Sequence, residues 1–492
     1  MKFKTKLIST AIAAALGTIA GAAQAVHLGE DGQGQVLLYP YYTVQQKGAT
    51  AADTYVTIVN SDSVNGKAVK VRFIEGKASR EVLDFNLYLS PNDMWTGAIT
   101  RNGAGDPILR TSDTSCTAPE IPVVAGTLRE VAFVNYAYAG DTVADDSIAR
   151  AKEGYVEVIQ MANLVAGTKT VGGDKIDTYA ASKHVGGVPP GCNAIRTAWL
   201  NGTYATATDG MVAPTGTLSG YATIINPLEG TDVTTDTVAL DAFSNVANHQ
   251  APGSIRPDLR DVAPKVSDVL LGSNGYNTNW TAGIAAGLTD AVPVSAVLMR
   301  NGIINEYAVA AAPVGLGTDW VVTMPTKRLH RLAADTSPFD IAAVLGKTGS
   351  CEKMTAIAYD REEGVTASGL IFSPPPIIPG GALCWESNVI SMSNGGTVSN
   401  VLGSVNVRQT LAVPYVAGWL RMGFTAPTQT IAGATSGANT IVTPLGLGPA
   451  AAAAYTYNGL PVIGAMFQSY VNTGTVANFG GTSTHRYTRS IF

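Results

Sequence analysis

Residues 67–75, KAVKVRFIE, and 83–89, LDFNLYL, decide the fold class. In the first, Val69, Val71 and Phe73 alternate with Lys70 and Arg72; in the second, Leu83, Phe85, Leu87 and Leu89 alternate with Asp84, Asn86 and Tyr88. A period of two sends successive side chains to opposite faces of a strand, so both segments predict half-buried strands. Gly76 and Lys77 lie between them at a length suited to a hairpin, and Asn65-Gly66 marks a turn just upstream. Before this pair, Val36–Val44 and Tyr55–Asn60 are rich in β-branched and aromatic residues. Pro40 lacks the N–H that a ladder needs, so Val36–Val44 reads as an edge or bulged strand. Gly154–Ile159 and Gly220–Asn226 share the Tyr/Val/Ile character of Tyr55–Asn60 at irregular spacing, which indicates more strands rather than a solenoid.

Further strands are expected at Gln409–Phe424, Leu460–Asn472 and His485–Phe492. Helical patterns are few. One is Asp236–Ala247, with Val238, Ala242, Phe243 and Val246 near one face; another opens at Ser337-Pro338-Phe339-Asp340 and ends at Gly346. Turn-rich stretches at 100–128, 165–219 and 428–450 read as long loops, and the prolines between Ser373 and Gly381 as a stiff connector. The expected fold is all-β, with one or two antiparallel β-sandwiches, long loop-rich insertions and a few short helices. In this reading residues 1–25 are a cleaved signal peptide and 26–100 hold the N-terminal strands. Residues 101–240 are a loop-rich insertion with strands, and 241–492 a C-terminal β region that completes the sandwich.

The export signal is compact. Lys2, Lys4 and Lys6 precede an uncharged stretch from Leu7 to Ala23, and Ala23-Gln24-Ala25 places small residues where a signal peptidase reads them, so the mature chain is expected to begin at Val26. No later window reaches the ~18–20 apolar residues of a spanning helix, so no transmembrane helix is expected in the mature chain. Taking the three lysines from 32 basic residues leaves 29 against 37 acids, a net charge of −8. Nucleic acid is a poor partner for such a chain, because neutralising phosphates requires a basic surface. With 46% hydrophobic and only 14% charged residues in 492, the chain is neither a disordered tail nor a coiled coil.

Cys116, Cys192, Cys351 and Cys384 are an even set in an exported chain and predict two disulfides. Pairing Cys116 with Cys192 and Cys351 with Cys384 closes the most local loops. The five histidines stand singly, outside any metal or haem frame. No catalytic motif is present. Gly433-Ala434-Thr435-Ser436-Gly437 has its serine one place late for a nucleophile elbow, and Gly346-Lys347-Thr348 follows Ile341 where a phosphate loop needs glycine. Gly29, Gly32 and Gly34 precede a strand rather than follow one. Asp360-Arg361-Glu362-Glu363 is the densest acidic group and reads as a solvated or salt-bridged turn rather than half of a glycosidase acid pair. No cofactor is expected. Asp53, Asp62, Asp232 and Asp236 sit in oxygen-rich loops that would suit structural calcium, without a complete twelve-residue calcium loop. The six tryptophans could stack sugars, but their apolar settings, as at Trp320 and Trp419, favour the core. An outer-membrane barrel would need a lipid-facing stripe, and Ser490, Thr488 and Arg486, stepping back from Phe492, do not supply it.

Four segments together resemble a known group. They are Leu37-Leu38-Tyr39-Pro40-Tyr41-Tyr42, the block VKVRFIEGKASREVLDFNLYLSPNDMW ending at Trp95, TDWVVTMPTKR from Thr318 to Arg328, and LCWESNVISM from Leu383 to Met392. The chain resembles a family of proteobacterial exported proteins labelled cell surface proteins. The resemblance implies a surface or extracellular location and transfers no catalytic residue. The expected function is therefore a non-enzymatic structural or adhesive surface component that self-associates through sheet edges. The alternatives are a carbohydrate- or small-ligand-binding module, then a secreted hydrolase or an outer-membrane barrel. The expected partners are other copies of the chain or surface glycans.

Overall fold

Strands Gly66–Glu75 and Glu81–Leu89 form the hairpin, with Val71 opposite Phe85 and Arg72 opposite Asp84. A carboxylate closes its turn: Glu75 accepts the backbone N–H groups of Lys77, Ala78 and Arg80 at 2.7, 2.8 and 3.0 Å. The hairpin belongs to a computed structural model that describes residues 24–47, 50–141, 143–167, 169–171, 174–205, 210–331, 337–339, 351–362, 377–378, 381–424, 440–442, 455–472 and 478–491. The molecule is all-β, with about 50% of residues in strands and 10% in helices.

The hairpin sits in an eight-stranded sheet ordered His27–Leu28, Val238–Asp241, Val36–Thr43, Glu153–Leu164, Gly66–Glu75, Glu81–Leu89 and Cys116–Ala118, with Met211–Val212 beside the end of Glu153–Leu164. A seven-stranded sheet packs over it, ordered Val123–Ala125, Leu128–Ala132, Pro107–Thr111, Asp93–Arg101, Asp53–Asn60, Leu218–Asn226 and Thr231–Asp236. Between the two sheets Val69, Val71, Phe73, Phe85 and Leu87 meet Val56, Ile58, Trp95, Ile99 and Leu109 in one apolar cluster. That is the face that the alternation selects.

The other face differs from the sequence expectation. All ten residues of Gly66–Glu75 are buried, Lys70 and Arg72 included. Helix Cys192–Leu200 covers one end of this face, where Ala68, Tyr88, Met161 and Ile195 form a second cluster. A strap from residue 248 to 262 covers the charged part: the Gln250 carbonyl accepts from Asn86 Nδ2 at 2.8 Å and the Ala251 carbonyl from Lys70 at 3.2 Å. Each buried charge has a partner, Lys70 with Asp84 and Arg72 with Glu81 and Glu157. Pairing is what a low-dielectric site demands of a charge.

Two other expectations change, and the edge-or-bulge reading of Pro40 resolves to the bulge. Val36–Thr43 lies inside the sheet, not at its edge, and Pro40 is accommodated by a bulge, where the pairing steps from Tyr42–Gly154 to Tyr39–Val156. Asp236–Ala247 is not helical. Val238–Asp241 pairs with both Val36–Leu38 and His27–Leu28, and Ala242 at φ 51° turns the chain away; the residues that suggested one helical face are divided between a strand and the turn after it. The stretch 165–219 holds helices Thr178–Ser182 and Cys192–Leu200. The helix proposed to run from Ser337 to Gly346 falls largely outside the described residues, as do residues 428–439 and 443–450 and most of the proline connector.

The chain after residue 300 does not complete the first sandwich; it builds a second. Its five-stranded sheet runs Ile377–Ile378, Thr355–Tyr359, Ala417–Gly423, Gly302–Ala308, Arg486–Thr488. Its six-stranded sheet runs Thr397–Val398, Ser387–Asn394, Val314–Thr323, Ala465–Asn472, Phe479–Thr484, with Arg408–Ala412 parallel to Ser387–Asn394. The edges of the eight-stranded sheet are already taken. Cys116–Ala118 is tied to helix Cys192–Leu200 by the Cys116–Cys192 disulfide, and Val26, next to His27–Leu28, bonds Val266. The Cys351–Cys384 disulfide joins the neighbourhood of paired strands Glu352–Lys353 and Ala382–Leu383. No described sheet closes into a barrel.

The sandwiches share buried contacts. Tyr41, Ile224 and Val233 of the first pack with Val321, Val389, Leu402 and Phe467 of the second. Thr323 Oγ1 donates to the Pro40 carbonyl at 2.6 Å, which the bulge leaves available. Glu153 accepts from Ser404 Oγ at 2.7 Å and from the backbone of Val405 and Asn406 at 2.7 and 3.2 Å.

Arg150 locks the hairpin turn from behind. It is fully buried, donates to both oxygens of Glu75 at 2.8 and 2.9 Å, reaches Asp141, and lies 4.2 Å from the Tyr138 ring centroid. Arg150→Met would strand two buried carboxylates, and breaking such a pair costs about 3–5 kcal/mol. Urea unfolding of the variant should show that loss, and the additional change Glu75→Gln should recover part of it.

Candidate functional site

The densest ionisable group is the charged row under the 248–262 strap. Arg72 donates to Glu81 at 2.6 Å and Glu157 at 2.8 Å, and Asp258 pairs with Arg260 at 2.6 Å. Arg72, Glu157, Asp258 and Arg260, with Tyr155 and Arg328, line a cavity of about 40 Å³. That volume holds a few waters at most and no substrate. Burial pushes the Glu157 carboxyl up to about 7; Arg72 opposes the shift, while Asp258 and Glu81 add to it. The row is a structural brace.

A hydroxyl, an imidazole and a carboxylate also meet at Ser90, His184 and Asp93, in a contact that no local motif announced. Ser90 Oγ lies 2.7 Å from His184 Nδ1, and Asp93 lies 3.5 Å from the same nitrogen. A relay needs the hydroxyl and the carboxylate on opposite ring nitrogens. Ser90 Oγ is further occupied by the Ser182 carbonyl and the His184 backbone N–H, at 3.1 and 2.9 Å. Thr114 Oγ1, 3.3 Å from Nε2, also donates to the Gly187 carbonyl at 3.1 Å. The cluster clamps the 182–188 turn to the sheet.

The aspartates proposed for calcium are dispersed. Asp53 lies 3.5 Å from Arg101; Asp62 binds Lys67 at 2.8 Å and the backbone of its own turn; Asp232 and Asp236 lie along strand Thr231–Asp236. No group of three or more metal-type ligands occurs among the described residues. Asp360 accepts the Glu362 N–H at 2.9 Å in a turn, and Glu363 lies outside the described residues. Of the cleavage positions, Ala25 and Val26 are buried, and Ala23 lies outside the described residues, as do the phosphate-loop and nucleophile-elbow look-alikes. No helix among the described residues is long and apolar enough to cross a membrane.

Trp95, Trp280 and Trp320 are fully buried, and Trp199 and Trp385 are half-buried. Trp419 departs from the core expectation. It is 39% exposed on the outward face of the five-stranded sheet, stacked on Tyr359 with centroids 3.9 Å apart. Its apolar neighbour Leu420 is the inward residue of the same alternation, fully buried.

The feature with room for a partner is the outer face of the seven-stranded sheet. Tyr55 and Tyr221 are 37% and 38% exposed there, with Met94 and Ile225 also exposed. Tyr221 stands opposite Thr57, which is fully buried, and Thr57 opposite Thr96; Thr223 stands opposite Tyr55, and the Thr223 and Thr234 hydroxyls share a hydrogen bond of 2.8 Å. Aromatic rings, aliphatic groups and hydroxyls thus lie side by side on one sheet. The alternation in Tyr55-Val56-Thr57-Ile58 carried this information, but both phases look apolar and neither announces which faces outward.

Most sheet edges are blunt. Cys116–Ala118, Val123–Ala125 and Arg486–Thr488 have three residues each, and short edges suppress pairing. Arg408–Ala412 is longer and borders an open depression of about 600 Å³ lined by Val398, Val405, Arg408 and Thr410. Val407 O and Val413 N bond toward Ser387–Asn394. The alternation of a parallel ladder therefore turns the N–H groups of Arg408, Thr410 and Ala412 outward.

The raised Glu157 carboxyl gives a pH test. Its folded value near 7 lies above the ordinary 4.5, so the folded state holds the extra proton and the associated stability is full below pH ~4.5 and lost as pH rises through 7. Urea midpoints between pH 5 and 8 should fall with rising pH in the wild type and fall less in Glu157→Gln. Comparison with known proteins returned no matching family model, no matching curated protein and no matching solved structure.

Proposed function

We propose that this protein is an exported, non-enzymatic surface component, structural or adhesive, that works through an outward sheet face and a free sheet edge. The observation that carries the reading is the open Tyr55–Tyr221 face on a doubly braced frame, set against a buried charged cavity of only about 40 Å³. A flat face with tyrosines and hydroxyls suits contact with a broad partner better than it suits chemistry on a small substrate. The two disulfides are compatible with an oxidising compartment. The N-terminal signal pattern and the resemblance to exported cell-surface proteins support the same location.

Self-association is assigned to the Arg408–Ala412 edge, where another strand could add to outward N–H and C=O groups. Surface glycans are the second reading, favoured by the paired tyrosines, since aromatic rings take up the apolar face of a sugar while neighbouring hydroxyls satisfy its polar groups.

Cell fractionation should place the protein in the envelope, and purified protein should sediment as large assemblies. Thr410→Pro removes one outward donor without touching the Ser387–Asn394 ladder, and should shift sedimentation to monomer with the circular dichroism unchanged. A wild-type protein recovered only as a monomer in culture fluid would refute the structural reading. A Tyr55→Ser, Tyr221→Ser double variant that assembles normally but loses binding on a glycan array would favour the second reading.

A further inference from the structure

The most deeply buried cations described above have a carboxylate beside them; Arg300 and its neighbour Arg489 do not. Arg300 is 5% exposed and Arg489 half-buried, and neither forms an ion pair among the described residues. Both donate to one oxygen, the carbonyl of Val297, Arg300 Nη1 at 3.0 Å and Arg489 Nη2 at 2.6 Å. Arg300 Nη1 also reaches the Met299 carbonyl at 2.8 Å, and Arg489 Nη1 the Leu270 carbonyl at 3.1 Å. The two guanidinium carbons lie 3.8 and 5.4 Å from the Tyr487 ring centroid.

Two like charges held on one carbonyl oxygen repel each other, and burial makes the repulsion stronger. Val297 lies in the last turn of helix Val292–Leu298, so its carbonyl belongs to a negative helix end. A helix end supplies roughly half a charge, and a ring face less, so about one and a half positive charges stay uncompensated. Burial, and then the neighbouring Arg489, drive Arg300 well below the ordinary guanidinium range. Donors are also left over. Arg489 Nε is buried without a partner, and among the described residues Arg300 Nε and Nη2 make no hydrogen bond, which leaves the forked edge of that guanidinium vacant. Arg300 and Tyr487 line a cavity of about 60 Å³, together with Thr484, His485, Ile303 and Val462. Tyr487 is 47% exposed, so the site reaches solvent along the ring.

We propose that Arg300 and Arg489, arranged about Tyr487, bind a doubly charged phosphate group, either inorganic phosphate or a phosphate monoester carried by a larger surface molecule. A phosphate dianion in this cavity accepts at the Arg300 fork and matches the summed charge of the two guanidiniums, Arg489 standing behind the lining on the shared Val297 carbonyl. A carboxylate would leave one charge unmatched. The 60 Å³ cavity is of the size of one such group rather than of a nucleotide or a sugar ring. The inference stands apart from the proposed surface role, since it involves neither the Tyr55–Tyr221 face nor the Arg408–Ala412 edge.

Titration calorimetry of the full chain at low ionic strength, with inorganic phosphate, methyl phosphate and acetate as separate probes, tests it. Binding of at least one phosphate form, with acetate at least about tenfold weaker, is expected. Methyl phosphate binding as well as inorganic phosphate would identify a carried group, and inorganic phosphate alone would identify a free ion. Arg300 is too buried to be a safe probe of binding alone, so Arg489→Gln is the variant of choice. It should weaken phosphate binding at least about tenfold with the circular dichroism unchanged, and Arg489→Lys should weaken it less. No binding of either phosphate, acetate binding equal to phosphate, or unchanged affinity in a folded Arg489→Gln protein would overturn the assignment.

Discussion

The eight-stranded sheet is covered on both faces, and that constraint governs the rest of the first sandwich. One face meets the second sheet through apolar residues; the other carries the charged members of the same alternation and is largely shut off from bulk water. A charge in that position must be matched inside the protein. The matches come from different parts of the chain: Lys70 and Arg72 from one strand, Asp84 and Glu81 from the next, Glu157 from a strand far along the sequence, and the strap at 248–262 as the lid. Slipping strand Gly66–Glu75 by one residue against its neighbours would drive Lys70 and Arg72 into the apolar cluster and leave Asp84, Glu81 and Glu157 unmatched. Register is thus fixed twice, by apolar burial on one face and by ion pairing on the other.

This constraint explains what was legible in the sequence and what was not. Strand positions followed from residue period, because period two survives whatever covers the sheet; hence the hairpin, Tyr55–Asn60 and Gly220–Asn226 were readable. Whether the polar phase faces water was not readable, since Lys70 and Arg72 look alike as solvated and as paired residues until the strap is placed over them. Pro40 illustrates the same limit. Its missing N–H announced a defect in the ladder, but edge and bulge satisfy that requirement equally, and only the pairing of both flanks selects the bulge. Asp236–Ala247 failed because a short apolar stretch fits helix spacing by chance, while pairing on both sides settles Val238–Asp241 as a strand. The outward tyrosines were hidden for a related reason: in Tyr55-Val56-Thr57-Ile58 either phase could have been the core.

Braced this way, the ionisable groups of the described interior are largely spent on one another. Its charged cavity is filled with groups already committed to one another, and the Ser90, His184 and Asp93 cluster spends its hydroxyl on holding a turn. The junction between sandwiches follows the same economy. The carbonyl that the Pro40 bulge displaces from its ladder is taken by Thr323, and Glu153 is taken by the 404–406 loop, so irregularities of one sandwich become bonds to the other. Among the described residues, the sheet face with its tyrosines and hydroxyls and the Arg408–Ala412 edge stay open on the outside.

The pairing rule also gives meaning to its exception. Arg150 is as buried as Arg300, and it meets two carboxylates; Arg72 meets two as well. A chain that matches its buried charges this consistently in one sandwich leaves two guanidiniums on a single carbonyl in the other. The Met299 and Leu270 carbonyls give each arginine a further acceptor, but neither carbonyl carries the full charge that would offset the repulsion between the two guanidiniums on Val297 O. The cost makes physical sense where the compensating charge arrives from outside the chain. Tyr487 sits at the place such an ion would enter, with Arg300 against its face and part of its ring in solvent.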